Sequence, residues 1–211
     1  GEELYPGFPY DPGVVQPGWA EWKFRNSVRT ARNPVSVSFI FSTPPASDLS
    51  IATNPARAAE FALQFDLERE APKIFATNEV YTESGLTVMV PPNATQLDAL
   101  RARGGKIVVV HGTADAIFSI DDTAAWYRGL DAHHLGQAQR FARFFAVPGM
   151  GHSRGGPATD QFDALMALVD WVEQGRAPER IVATARGPGN PGGANPDVPS
   201  TWPSQRSRPR R

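Results

Sequence analysis

Residues 106–112, KIVVVHG, constrain the fold more than any other stretch of the chain. Ile107 to Val110 are four consecutive β-branched residues, and Gly112 closes the run. Successive side chains of a strand point to opposite faces, so an unbroken apolar run predicts a strand covered on both sides, the pattern of a parallel sheet. The neighbouring sequence supplies the rest of such a sheet. TQLDALRARGG, from residue 95, predicts a short helix capped by Thr95 and stopped at Gly104 and Gly105. Residues 121–135, with Trp126 and Leu130, are compatible with a helix, and RFARFFAV at 140–147 is the next strand. Further on, TDQFDALMALVDWVEQG places Phe162, Leu165, Met166, Val169 and Val172 at helical spacing, with Thr159 or Asp160 as cap and Gly175 as stop. This strand and helix alternation over about residues 96–185 predicts the α/β class and the end of a doubly wound sheet.

The flanking regions read differently. Glycine (19) and proline (20) gather towards the two ends of the 211-residue chain, which predicts loop-rich ends. Residues 1–34 interleave Tyr5, Phe8, Tyr10, Trp19, Trp22 and Phe24 with Pro6, Pro9, Pro12 and Pro17, and such a segment needs a larger body to cover its rings. VSVSFIF at 35–41 alternates with the period of a half-buried strand and ends at Pro44 and Pro45. NPARAAEFALQF then predicts a helix with Asn54 as cap, Pro55 in the first turn, and Ala58, Phe61, Ala62 and Phe65 on one face. Residues 187–211 hold six prolines and four glycines and end in QRSRPRR, which predicts an extended tail.

Composition narrows the function classes. Twenty-one basic residues against 22 acidic ones leave a formal net charge of -1, so no bulk field recruits nucleic acid or an anionic membrane. Without cysteine there is no disulfide, no thiolate nucleophile and no cysteine-ligated zinc. No apolar stretch approaches the roughly 20 residues of a membrane-spanning helix. The first residues, GEELYPGFPYDPG, lack the basic start and apolar block of a signal peptide, so either the protein is not targeted or a targeting end has been removed.

In doubly wound sheets, ligands and reactive groups sit beyond the carboxyl ends of the strands. Two predicted strands end there on polar, glycine-bearing loops: VVVHGTAD brings Asp115, and FFAVPGMGH brings His152. A carboxylate that orients an imidazole, and an imidazole that takes a proton from a hydroxyl, are two thirds of a Ser-His-Asp triad. Asp115 before His152 follows the α/β-hydrolase chain order of nucleophile, acid, histidine. Asp121 and Asp122 are alternative acids, but Asp115 directly follows its strand. His111 reads as packed or bonded to backbone, and His133 and His134 as cations at a helix end. The four histidines form no i, i+4 pair on a helix and no tight cluster with acids in the sequence, so no metal and no other cofactor is expected, although a metal-dependent hydrolase on His111, Asp115 and His152 stays conceivable. No G-x-S-x-G stands in the chain, Ser153 follows both partners, and Ser84 lacks a strand before it. The nucleophile is expected elsewhere.

Three stretches, APKIFATNEVYTESG, LRARGGKIVVVHGTADAIFSIDDTAAWY and FFAVPGMGHSRGGPATDQFDALMALVDWVEQGRAPERIVATA, together resemble the C-terminal part of the tannase and feruloyl esterase family, and LYPGFPYDPG resembles it more loosely. The resemblance implies a serine carboxylic ester hydrolase with an α/β-hydrolase core and an inserted lid. It divides the chain into the end of that lid-like insertion (1–65), the C-terminal part of the core (66–186) and the tail (187–211). Asp115 matches the family's triad acid, His152 its base, and Phe118 a position that helps wall the aromatic acyl pocket, where an ordinary core phenylalanine is the alternative. The family's nucleophile lies upstream of the lid, so the implied partners are an aromatic ester and an N-terminal portion of the same enzyme. A catalytically inactive remnant or a binding module of the same fold is the other reading. Most members carry a cysteine after the catalytic histidine, where this chain has Ser153. Relatives are usually exported, which implies a secreted or periplasmic address that the residues themselves leave open.

Overall fold

The computed structural model describes residues 7–9, 17–26, 32–185 and 202–203. Contacts divide the chain into one compact unit of residues 21–94 and another formed by residues 1–20 with 95–211. The sequence-based division at residues 65/66 falls inside the first of these units.

Among the described residues of 21–94, the regular elements are all helices or helical turns. The longest helix, α1 (Pro55–Leu63), begins as its sequence predicts: the Asn54 side chain accepts hydrogen bonds from the Ala56 and Arg57 amides, Pro55 occupies the first turn, and Ala58 is buried. Asp66 caps the short helix Leu67–Glu70 in the same way. The Glu70 carboxylate is buried between Arg69 Nε at 2.7 Å and Lys73 Nζ at 2.6 Å. Those two cations, Lys73 first, hold its carboxyl below the ordinary range.

The expected strand at 35–41 is not one. Ser36–Ile40 form a wide helical turn continuing the helix Arg32–Val35. Burial does not follow a period of two either: Ser38 is buried and Ile40, two positions on, is 60% exposed. The reason is local bonding: Ser38 Oγ donates to the Pro34 carbonyl at 2.6 Å and Ser42 Oγ to the Val37 carbonyl at 2.7 Å. Hydroxyls that bond back onto preceding carbonyls favour a helical path over a ladder.

The second unit contains the parallel sheet. Helix α2 (Asp98–Ala102) leads into β1 (Ile107–Gly112), helix α3 (Ile120–His133) crosses over, and β2 (Ala142–Val147) returns parallel to β1. The register pairs Ile107 with Ala142 and Gly112 with Val147, so both strands end at the same level. Thr95 does not cap α2; its cap position is Leu97, at a positive φ of 46° and without a side-chain cap bond. Ser119 caps α3, accepting from the Asp121 amide.

The core lies beneath the crossover. Leu130, Ala138, Phe141 and Ala142 are buried together, with Leu97, Leu100, Ile107, Trp126 and Tyr127 packed around them. Tyr127 satisfies its hydroxyl on the Ala142 carbonyl at 3.1 Å. Strand β2 is buried at every position but Ala146, whereas Ile107 to His111 of β1 are only half-buried. Among the described residues β2 is the one strand hydrogen-bonded to β1.

A second sheet is antiparallel, with β3 (Gln161–Phe162), β4 (Val182–Thr184) and β5 (Trp202–Pro203) in that order. The tail thus contributes a strand at 202–203; its other residues lie outside the described ones, as does most of the aromatic 1–34 segment. Phe162 belongs to β3, so helix α4 (Ala164–Gln174) starts later than expected. Its cap is Asp163, which accepts from the Met166 amide, in place of Thr159 or Asp160, while Gly175 stops it at φ 69°. Trp171 anchors α4 at 3% exposure, beneath the Lys106 and Arg143 cations, each 5.5 Å from its ring centroid. Leu165, Met166 and Val172, expected to face a core, are 68%, 51% and 60% exposed. No helix among the described residues is long and apolar enough to cross a membrane.

Leu130→Ala should cost roughly 2–5 kcal/mol, because the site is closed on all sides, and Asp163→Ala about 1 kcal/mol as a lost cap. Urea unfolding of each variant against the parent measures both.

Candidate active site

The tops of β1 and β2 are bound to each other by backbone. The Thr113 amide donates to the Val147 carbonyl and the Ala114 amide to the Met150 carbonyl, both at 3.0 Å. In return the Gly149 amide donates to Thr113 Oγ1 at 2.8 Å. Gly112 lies where a Cβ would overlap the Met150 carbonyl, so only glycine lets the loops approach this closely. The histidine loop is closed from its other side as well. Gly156, at φ 82°, brings its Cα against the Gly149 carbonyl, and Asp160 accepts from the Gly155 amide at 2.5 Å.

This lacing brings Asp115 and His152 together. The His152 Nδ1–H donates to Asp115 Oδ2 at 2.9 Å, with the carboxylate side chain 4% exposed and the imidazole 43% exposed. Asp115 is held from three further directions: its Oδ1 accepts from the Ile117 amide at 2.7 Å and the Phe118 amide at 3.1 Å, and its Oδ2 from His111 Nε2 at 3.2 Å. The Nε2 of His152 has no hydrogen-bond partner among the described residues. Phe118 is 63% exposed, its ring centroid 5.5 Å from that of His152 and tilted by 56°.

His111 belongs to this cluster more closely than its sequence suggested. Besides Asp115 it bonds the Phe118 carbonyl at 3.1 Å through Nε2, and its Nδ1 meets Thr123 Oγ1 at 2.9 Å. Nε2 facing two acceptors is the protonated nitrogen, so Nδ1 accepts from the threonine hydroxyl. The signal in the sequence is its spacing of four from Asp115 across Gly112. The alternative acids, Asp121 and Asp122, stand in the first turn of α3, where a negative charge suits the helix dipole. Ser84 caps the short helix Gly85–Met89 and accepts from the Thr87 amide.

The electrostatics of Asp115 follow from these contacts. Burial pushes its carboxyl up, but the hydrogen bonds from His111, His152 and the Ile117 and Phe118 amides outweigh burial and hold it well below the ordinary carboxylate range. A buried carboxylate held in its ionised form is an acceptor only, so the proton of the His152–Asp115 bond sits on Nδ1. Nε2 is left as an accessible base, able to accept a proton while Asp115 balances the resulting charge.

An imidazole hydrogen-bonded to a buried carboxylate thus stands beyond the ends of two adjacent parallel strands. Residues 1–207 match the profile of the family described as tannase and feruloyl esterase, and the chain belongs to that family. It is 37% identical over 199 residues to the mono(2-hydroxyethyl) terephthalate hydrolase of Piscinibacter sakaiensis, a match covering 90% of this chain and 33% of that protein. It is also 37% identical over 125 residues to feruloyl esterase B of Aspergillus niger, covering 51% of this chain and 22% of the relative. Among solved structures, feruloyl esterase B from Aspergillus oryzae superposes with a TM-score of 0.54 at 20% identity, over 92% of this chain and 36% of that one. An esterase from the same organism superposes with a TM-score of 0.53 at 26% identity, over 69% of this chain and 30% of its own. The chain therefore spans about a fifth to a third of the length of these relatives.

A carboxylate with a depressed pKa adds stability that is complete above its unfolded value, 3.8, and is lost as the pH falls from there through the folded-state value. Asp115→Asn is accordingly expected to be roughly 1–3 kcal/mol less stable than the parent at pH 7, since several donors lose their ionised acceptor. The gap should narrow as urea titrations are repeated from about pH 4 down to pH 2. A gap unchanged by acid would contradict this account.

Proposed function

We propose that this chain is the C-terminal portion of a serine carboxylic ester hydrolase for phenolic or aromatic esters, of the α/β-hydrolase type, and that it supplies the acid and the base of the triad. The observation that carries the reading is the 2.9 Å bond between His152 Nδ1 and the buried Asp115, on an imidazole that is itself 43% exposed. The nucleophilic serine belongs to an N-terminal portion of the enzyme, consistent with the fraction of its relatives that the chain spans. Residues 1–65 in this reading are the end of a lid-like insertion, and 187–211 an extended tail.

In the assembled enzyme, His152 Nε2 takes the proton of the serine hydroxyl as the oxygen attacks the ester carbonyl. Asp115 stabilises the imidazolium, which then returns its proton to the leaving alcohol. The same base deprotonates the water that releases the acid. Backbone amides of the N-terminal portion bind the oxyanion. Phe118, exposed beside the His152 ring, offers a flat apolar face to an aromatic acyl group. The names of the relatives, a terephthalate monoester hydrolase and a feruloyl esterase, support an aromatic acid. The half-buried β1 and the exposed Leu165, Met166 and Val172 of α4 give an N-terminal portion apolar surface to cover.

Fluorophosphonate labelling tests the assignment. The chain alone should not be labelled, whereas combined with a nucleophile-bearing N-terminal portion of the family it should support labelling of that portion. In the combined enzyme, Asp115→Asn should lower kcat by about four orders of magnitude. Labelling of the isolated chain would overturn the reading. Phe118→Ala should raise KM for feruloyl esters roughly two- to tenfold, the worth of one aromatic contact, and leave short aliphatic esters nearly unaffected.

A further inference from the structure

A second cluster of titratable side chains lies at the C-terminal end of α3, outside the Asp115 site. Asp98 at the start of α2 meets His133 and His134, some 35 positions later in the chain. Asp98 Oδ2 lies 2.9 Å from His133 Nε2, and Asp98 Oδ1 lies 3.9 Å from His134 Nδ1. All three potential ligand atoms fall within 4.8 Å of one another. We propose that Asp98, His133 and His134 bind one divalent transition-metal ion of the zinc class.

The geometry suits such an ion. With metal–ligand bonds of about 2.0–2.2 Å, neighbouring donors of a tetrahedral site stand roughly 3.3–3.5 Å apart. One Asp98 oxygen lies 2.9 Å from His133 Nε2 and the other 3.9 Å from His134 Nδ1, and an ion would take the place of the proton that now joins His133 to Asp98. Two imidazoles and one carboxylate select zinc, nickel, copper or cobalt over calcium and magnesium, which prefer oxygen donors. His134 is already set as a ligand. Its Nε2–H donates to the Gln96 carbonyl, so Nδ1 carries the lone pair. An imidazole whose second nitrogen is held by a backbone carbonyl is the usual support of a metal-bound histidine. The ring is 1% exposed and stands edge-on to Phe141 at 4.8 Å, so the direction of the lone pair is fixed. His133 and Asp98, at 37% and 65% exposure, form the open side, where the ion enters and water completes the coordination.

A competitor is built in. Arg101 Nη1 lies 3.1 Å from the same Nδ1 of His134, so a metal ion has to displace it. Arg101 is an exposed side chain and can swing into solvent. The site thus carries a signature of its own: removing the arginine should strengthen binding, and removing a ligand should weaken it. Occupancy would tie the first residue of α2 to the end of α3, the helix that starts directly behind the Asp115 loop.

Calorimetric titration of the full 211-residue chain with zinc chloride, and its thermal melting with and without zinc, test the proposal. The parent should bind one zinc per chain and melt higher when zinc is present. His133→Ala and Asp98→Asn, both at exposed positions, should keep the parent's circular dichroism, weaken binding at least about tenfold and lose the thermal shift. Arg101→Ala should bind severalfold more tightly, and His152→Ala should bind like the parent. No zinc uptake, uptake unchanged in both ligand variants, weaker binding in Arg101→Ala, or loss in His152→Ala would each overturn it; the second of these would mark an adventitious ion only. None of these outcomes depends on esterase activity, so the test stands apart from the function proposed above.

Discussion

Two hydrogen bonds from backbone amides and one absent Cβ hold the ends of β1 and β2 together. The Thr113 and Ala114 amides reach across to the carbonyls of the histidine loop, and Gly112 leaves room for the Met150 carbonyl where any other residue would place a Cβ. Parallel pairing of β1 with β2 brings the strand ends level, but level ends alone leave two independent loops. The cross-strand bonds convert them into one rigid seat, which sets the Asp115 carboxylate and the His152 imidazole at bonding distance. Rigid support of this kind is what acid–base chemistry demands, because a proton acceptor misplaced by an ångström loses most of its value.

The carboxylate in that seat is unusually well supplied with donors. Two backbone amides and two imidazoles converge on it, and they outweigh the cost of burial. His111 has a double part: it donates to Asp115 and to the Phe118 carbonyl, and so also fixes the turn from which Phe118 projects. The acid, its second histidine and the exposed aromatic ring thus form one local structure between the end of β1 and the start of α3.

Much of this was legible in the residues. The β-branched run and the apolar 140–147 segment have strong local patterns, and both strands form and pair in parallel. The helix after Asn54 has its cap and proline in place because these signals act within one turn. Asp115 and His152 stand at strand ends, where the alternation of strand and helix places them. What the sequence hid depended on distant partners or competing bonds. Serine hydroxyls at 38 and 42 bond back to carbonyls and override a period-two pattern. The short strands at 161–162, 182–184 and 202–203 exist only by pairing with one another, and Asp163 displaces Thr159 and Asp160 as the cap because β3 consumes the residues between. The meeting of Asp98 with His133 and His134 spans some 35 positions and leaves no spacing to read.

The two histidines on Asp115 are not equivalent. Both nitrogens of His111 are committed, one to the carboxylate and the Phe118 carbonyl, the other to Thr123. His152, 43% exposed, has given one nitrogen to the same carboxylate, and its other has no partner among the described residues. On the function proposed above, a hydroxyl or water that meets this charged centre would find one uncommitted ring nitrogen, that of His152, because both nitrogens of His111 are already spent.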